Sequence, residues 1–182
     1  MAMQSEDSTN AAEPNQIRAW ERAFGSIPLD DVESDVVRQG VALWRRLCDG
    51  RPFPARVDIT ARGLGGILRN TVLLRVIDGG ADYEYRIVGD AFLQAHHFFP
   101  QGRNWSEVQA VAPDYAAAVK PAYDETVATL KPHARCGWTV RSERNPEPVY
   151  TEAVYLPLGP DEHTVDHILA LAAYVRRLQI DK

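Results

Sequence analysis

The chain has 182 residues, 45% apolar and 25% charged, with a formal net charge of −5. That size and composition fit one globular domain with terminal extensions, and scattered basic residues on an acidic chain exclude the clustered Lys and Arg of a nucleic-acid footprint. No window approaches the roughly 18 consecutive apolar residues of a membrane span, and two distant cysteines, Cys48 and Cys136, exclude a disulfide framework and point to a reducing cytoplasm.

Residues 1–15 (MAMQSEDSTNAAEPN) lack the basic start and apolar core of a signal peptide and read as a flexible tail. Residues 16–50 read as an N-terminal helical extension, with a short helix over 16–24 and then a longer one. Asp30 or Asp31 can cap the longer helix, Arg45 and Arg46 suit its last turn, and Gly50, Pro52 and Pro54 stop it. Val36, Val37, Val41, Trp44 and Leu47 recur on one face. That stripe must pack on the back of a sheet or on the same helix of a second subunit. Val37, Val41, Trp44 and Leu47 are therefore expected at a homodimer or partner contact. Next, 70–77 and 83–88 read as strands joined by the turn residues 78–82, a hairpin. Residues 113–130 form the longest helix, with Val119, Tyr123, Val127 and Leu130 in one stripe, and Pro121 either starts it or bends it. Three strands follow, over 133–143, 148–158 and 165–175. In the first, Ala134, Cys136, Trp138 and Val140 face one way, with His133, Arg135, Thr139 and Arg141 opposite. The last is apolar almost throughout, as a central strand buried on both faces would be. The fold class is α+β, with a five-stranded antiparallel sheet and helices on one face.

The segment 82–109, DYEYRIVGDAFLQAHHFFPQGRNWSEVQ, resembles the middle of a PAS sensory domain, where a strand runs into short helices around a small-molecule pocket. Its Gly102-Arg103-Asn104-Trp105 is similar to the flavin-binding light-sensor signature, with Trp105 in place of the reactive cysteine. Leu43-Trp44, Gly50-Arg51, the run from Phe53 to Ile59, Leu73-Leu74, the run from Tyr85 to Gly89, Gly102-Arg103 and Leu156-Pro157-Leu158 together resemble the small stand-alone PAS-like proteins of alphaproteobacteria. The chain departs from that pattern at His96 to Gln101, where the family has a glycine and an acid, and at Thr60, where it often has proline. The resemblance implies a PAS-like domain over 51–182 whose hairpin and three-strand meander are separated by helices. It also implies a pocket between the sheet and the helical connection, near Phe92, His97, Phe98, Trp105, Tyr123 and Trp138. The implied function is signal perception or protein interaction in the cytoplasm, passed to a downstream signalling protein, with no catalysis by this chain.

Aromatic rings with polar edges suit a planar or amphipathic ligand, and the same residues also serve as plain core. Flavin is not expected, because Trp105 offers no thiol and 148–175 contains no Asn or Gln. Haem is not expected either, since His96 and His97 read as a solvated pair. His163 and His167 lack a third metal ligand. Arg56, Asp58 and Arg86 are expected to form one structural polar network. Two alternatives stand beside the sensor: a docking scaffold whose pocket is filled by its own side chains, and a cone-shaped ketosteroid-isomerase-like enzyme using Asp90 and His97 as acid and base. The enzyme requires helices to precede all the strands.

Overall fold

Runs of β-branched and aromatic residues build one antiparallel α+β sheet in the computed structural model, which describes residues 24–138 and 149–176. The strands are β1 (Gly25–Ile27), β2 (Thr71–Ile77), β3 (Asp82–Val88), β4 (His133–Trp138), β5 (Val149–Leu158) and β6 (His167–Arg176). Their spatial order is β1-β4-β5-β6-β2-β3. β2 and β3 form the expected hairpin around Asp78–Gly80, where Asp78, Gly79 and Gly80 all take positive φ. β4, β5 and β6 form the expected meander, and β6 pairs with β2 to join the two halves. The sheet has six described strands where five were expected, because three residues before the first long helix add β1 to the edge of β4. The expected helix over 16–24 lies outside the described residues except for Phe24, as do the tail 1–15 and residues 139–148.

Helices cover both faces of the sheet, not one. On the first face lies α1 (Asp35–Cys48). Gly40 lets it approach β6 so closely that an added Cβ would stand 2.5 Å from Leu171 Cδ2. Val37, Val41 and Trp44 are buried in this contact, Leu47 packs at its margin, and Trp44 Nε1 donates to Pro157 O at 2.8 Å. The stripe expected at a homodimer or partner contact is thus consumed by the chain's own sheet, which corrects that assignment. Asp30 and Asp31 do not cap α1: they belong to the 3-10 turn Leu29–Asp31, and Asp30 pairs with Arg45 at 3.4 Å. Ser34 stands at the cap, and the buried Glu152 carboxylate of β5 accepts from the N–H groups of Glu33 (3.0 Å) and Ser34 (2.7 Å). A sheet carboxylate therefore neutralises the positive end of the helix dipole.

On the second face lie α3 (Asp90–His96), α4 (Trp105–Val111) and α5 (Pro113–Thr129), with the single turn α2 (Ala61–Leu64) in the connection. α5 runs from Pro113 at its first position straight through Pro121. Its buried face is Ala116, Val119, Ala122, Tyr123 and Thr126, with Val127 and Leu130 at the margin. Among the described residues, no helix is long and apolar enough to cross a membrane.

Because Leu171 is fully buried under α1, Gly40→Val should overpack this contact and lower the unfolding free energy by about 1–3 kcal/mol. Chemical denaturation checks it, and a neutral result would show that α1 stands off the sheet.

Candidate functional site

Alternation along β5 and β6 turns two sets of residues toward α5: Thr151, Ala153 and Tyr155 from β5, and Ala170, Ala172 and Tyr174 from β6. The register pairs Thr151 with Tyr174, Ala153 with Ala172 and Tyr155 with Ala170, so a floor of methyl groups is bounded by phenol rings. Tyr115, Val119 and Tyr123 of α5, His96 at the end of α3, Val72 of β2 and Phe24 complete the walls. The space between them, partly open to solvent, is about 30 Å³. That is room for one or two waters, and far short of the roughly 300 Å³ at which small-molecule pockets begin.

The described lining is mainly apolar, carries hydroxyl groups and one imidazole, and includes no Asp, Glu, Lys or Arg. Tyr123 OH lies 3.3 Å from Tyr85 OH and 3.4 Å from Tyr115 OH, a chain of three buried hydroxyls. Burial raises the pKa of Tyr85, Tyr115, Tyr123, Tyr155 and Tyr174, so all five stay protonated. His96 is pushed down to about 4, first by burial and then by neighbouring His97, and is neutral at physiological pH. Its ring is held by Phe92 at 4.6 Å, Tyr115 at 5.0 Å and Tyr174 at 5.2 Å. Thr151 is 5% exposed, and its Oγ1 is buried without a hydrogen-bond partner among the described residues.

Of the six residues expected in the pocket, Tyr123 lines it. Phe92 and Phe98 stand behind the wall, each 5.3 Å from the Tyr115 ring. His97 is exposed, because it ends α3 in the left-handed region (φ 58°), and its neighbour His96 points inward instead. Trp105 ties α4 to α5 by donating to Ala116 O at 3.0 Å, with Lys120 5.3 Å above its ring. Trp138 sits on the α1 side of the sheet: it pairs with Tyr150, two residues from the Glu152 that meets α1. Tyr115, Tyr155, Tyr174, Thr151 and the alanine floor were not anticipated. The period-two triplets Thr151-Ala153-Tyr155 and Ala170-Ala172-Tyr174 carry the signal that would have found them.

The expected polar network of Arg56, Asp58 and Arg86 is in fact three separate contacts. Asp58 pairs with Arg51 at 2.7 Å, a bond that lowers its pKa, and Arg56 donates to Ile59 O at 2.8 Å. Arg86 shares Glu84 with Arg75 on the outer side of the hairpin. Gly102-Arg103 closes the β3 edge through Gly102 N to Tyr85 O (2.7 Å) and Tyr85 N to Arg103 O (3.0 Å), and Asn104 opens α4 in a capping box with Glu107. Gly102 reaches this edge at φ 80°, where a side chain would be strained. Among the described residues, no three His, Cys, Asp or Glu gather as a metal site, and Cys48 and Cys136 are free. No protein-family model matches the chain, and no curated protein matches it.

An imidazole held neutral by burial takes up its proton only near pH 4, whereas the unfolded chain does so near about 6.5. Stability should therefore fall as pH drops from about 6.5 toward 4, and burial lowers His133 with the same sign. Thermal melts across this range should show the decline, and His96→Phe should flatten it. An unchanged slope in the variant would mean that His96 is solvated.

Proposed function

We propose that this chain is a PAS-like perception module of the cytoplasm, with no catalytic output of its own. The reading is carried by the uncharged, hydroxyl-lined cavity between the sheet and α3 and α5. The hairpin, helical connection and meander support it, being the order that the sequence resemblance implies. Further support comes from where the carboxylates are spent: Glu152 on the start of α1, Asp58 on Arg51 and Glu84 on two arginines. None of these lines the cavity, nor does any Lys, Arg or Cys among the described residues.

Perception needs a route out. α3 turns His96 toward the cavity and Leu93 toward solvent, and the exposed Phe99 follows it. A ligand that prefers one setting of α3 would shift that surface for a downstream signalling protein. The scaffold reading is favoured by one observation, the small cavity volume of about 30 Å³. The enzyme reading loses ground because Asp90 and His97 stand at opposite ends of α3, neither lining the cavity, and because the hairpin precedes α5.

Native mass spectrometry of freshly purified full chain should show a non-covalent adduct that is lost on denaturation. A bare chain mass in every preparation would replace the sensor with the scaffold.

A further inference from the structure

Phe24 is the wall of the cavity that stands at the edge of the described sheet. It precedes β1, a three-residue strand paired only with β4 among the described strands. Gly25 pairs with Cys136, so the next step of the same register sets Phe24 opposite Gly137. Gly137 in turn pairs with Thr151, and Thr151 with Tyr174. Phe24, Gly137, Thr151 and Tyr174 thus share one row across the sheet. Gly137 has φ 137°, a conformation that residues with a Cβ rarely adopt, and as a glycine it places no side chain in the row between Phe24 and Thr151.

The phenyl ring of Phe24 packs against this site but offers nothing to hydrogen-bond. Thr151 Oγ1 is buried and has no hydrogen-bond partner among the described residues. A ring that carried a hydrogen-bonding group would fill the same space and satisfy that hydroxyl, an advantage the phenylalanine lacks. Among the described residues, the lining offers no charged side chain to repay the desolvation of an ion. The alanine floor, Ala153 against Ala172, suits a flat molecule better than a branched one.

We propose that the cavity takes a small uncharged aromatic molecule bearing a hydroxyl or carbonyl group, which enters by displacing the Phe24 ring and loosening β1 from β4. This deepens the perception reading and rests on it. Phe24 is then an internal stopper, and the ligand exchanges one ring for another while freeing the sheet edge. The signal has a structural form: β1 paired or β1 released.

The test uses the full chain with phenol, toluene and benzoate as probes, read by calorimetry and by amide hydrogen exchange. Phenol should bind about tenfold more tightly than toluene, which lacks the hydroxyl, and than benzoate, which is charged. Thr151→Val should weaken phenol about tenfold and leave toluene unchanged, so toluene reports that the cavity is intact. Phe24→Ala should tighten phenol. In the unaltered chain, phenol should speed amide exchange in β1 while β5 and β6 keep their protection. Equal affinity for benzoate, or no effect of Thr151→Val, overturns the ligand class. Phenol bound with β1 exchange unchanged overturns the stopper. No phenol binding at all overturns the whole proposal, while an adduct in the native spectrum would still leave the perception reading standing.

Discussion

β6 has to bury both of its faces, and the two faces meet opposite demands. On one side Leu169 and Leu171 press into α1, each gaining about 1.5–3 kcal/mol from leaving water. On the other side Ala170 and Ala172 present only methyl groups to α5. The same strand therefore supplies a close helix–sheet contact on one face and open space on the other. The close approach at Gly40 anchors α1, and α1 covers the Leu face of the sheet. With that face secured, the Ala face can stay underfilled without loss of the fold.

Underfilling has a cost that the surrounding chemistry keeps within bounds. A buried hydroxyl without a partner, such as Thr151 Oγ1, costs about 1–3 kcal/mol. The phenols around it avoid a larger penalty by staying protonated and by bonding one another along Tyr85, Tyr123 and Tyr115. His96 avoids it by staying neutral. A single fixed charge in this space would need a partner that the described lining does not contain. The result, among the described residues, is a space walled by protonated phenols and a neutral imidazole.

Much of the scaffold was legible in the sequence because it depends on period and turn chemistry. The hairpin, the long helix 113–130 and the apolar strand 165–175 all follow from such patterns, and each stands close to its expected place. β1 was hidden because three residues, Gly25 to Ile27, carry no period and are a strand only by virtue of β4 beside them. The destination of the Val37, Val41 and Trp44 stripe was equally hidden, since an apolar face does not state what covers it. Gly40 was the clue: a glycine mid-helix on the apolar side marks a close approach. At the site, aromatic residues drew attention by size, and Trp105 and Trp138 proved to be structural. The residues that shape the cavity are small ones, Ala153, Ala170 and Ala172, whose importance lies in what they leave empty. His97 was chosen over His96 because helix phase near a C-terminus decides between adjacent residues, and the left-handed turn at His97 fixes it.

The alanine floor offers the most direct measurement. Methyl chemical shifts of Ala153, Ala170 and Ala172 can be recorded while the protein-free small-molecule fraction of a cell extract is added to the full chain. If the cavity is the perception site, these three methyls should shift together, ahead of Ala residues on the outer surface. Shifts confined to the outer surface, with the floor methyls unmoved, would contradict it.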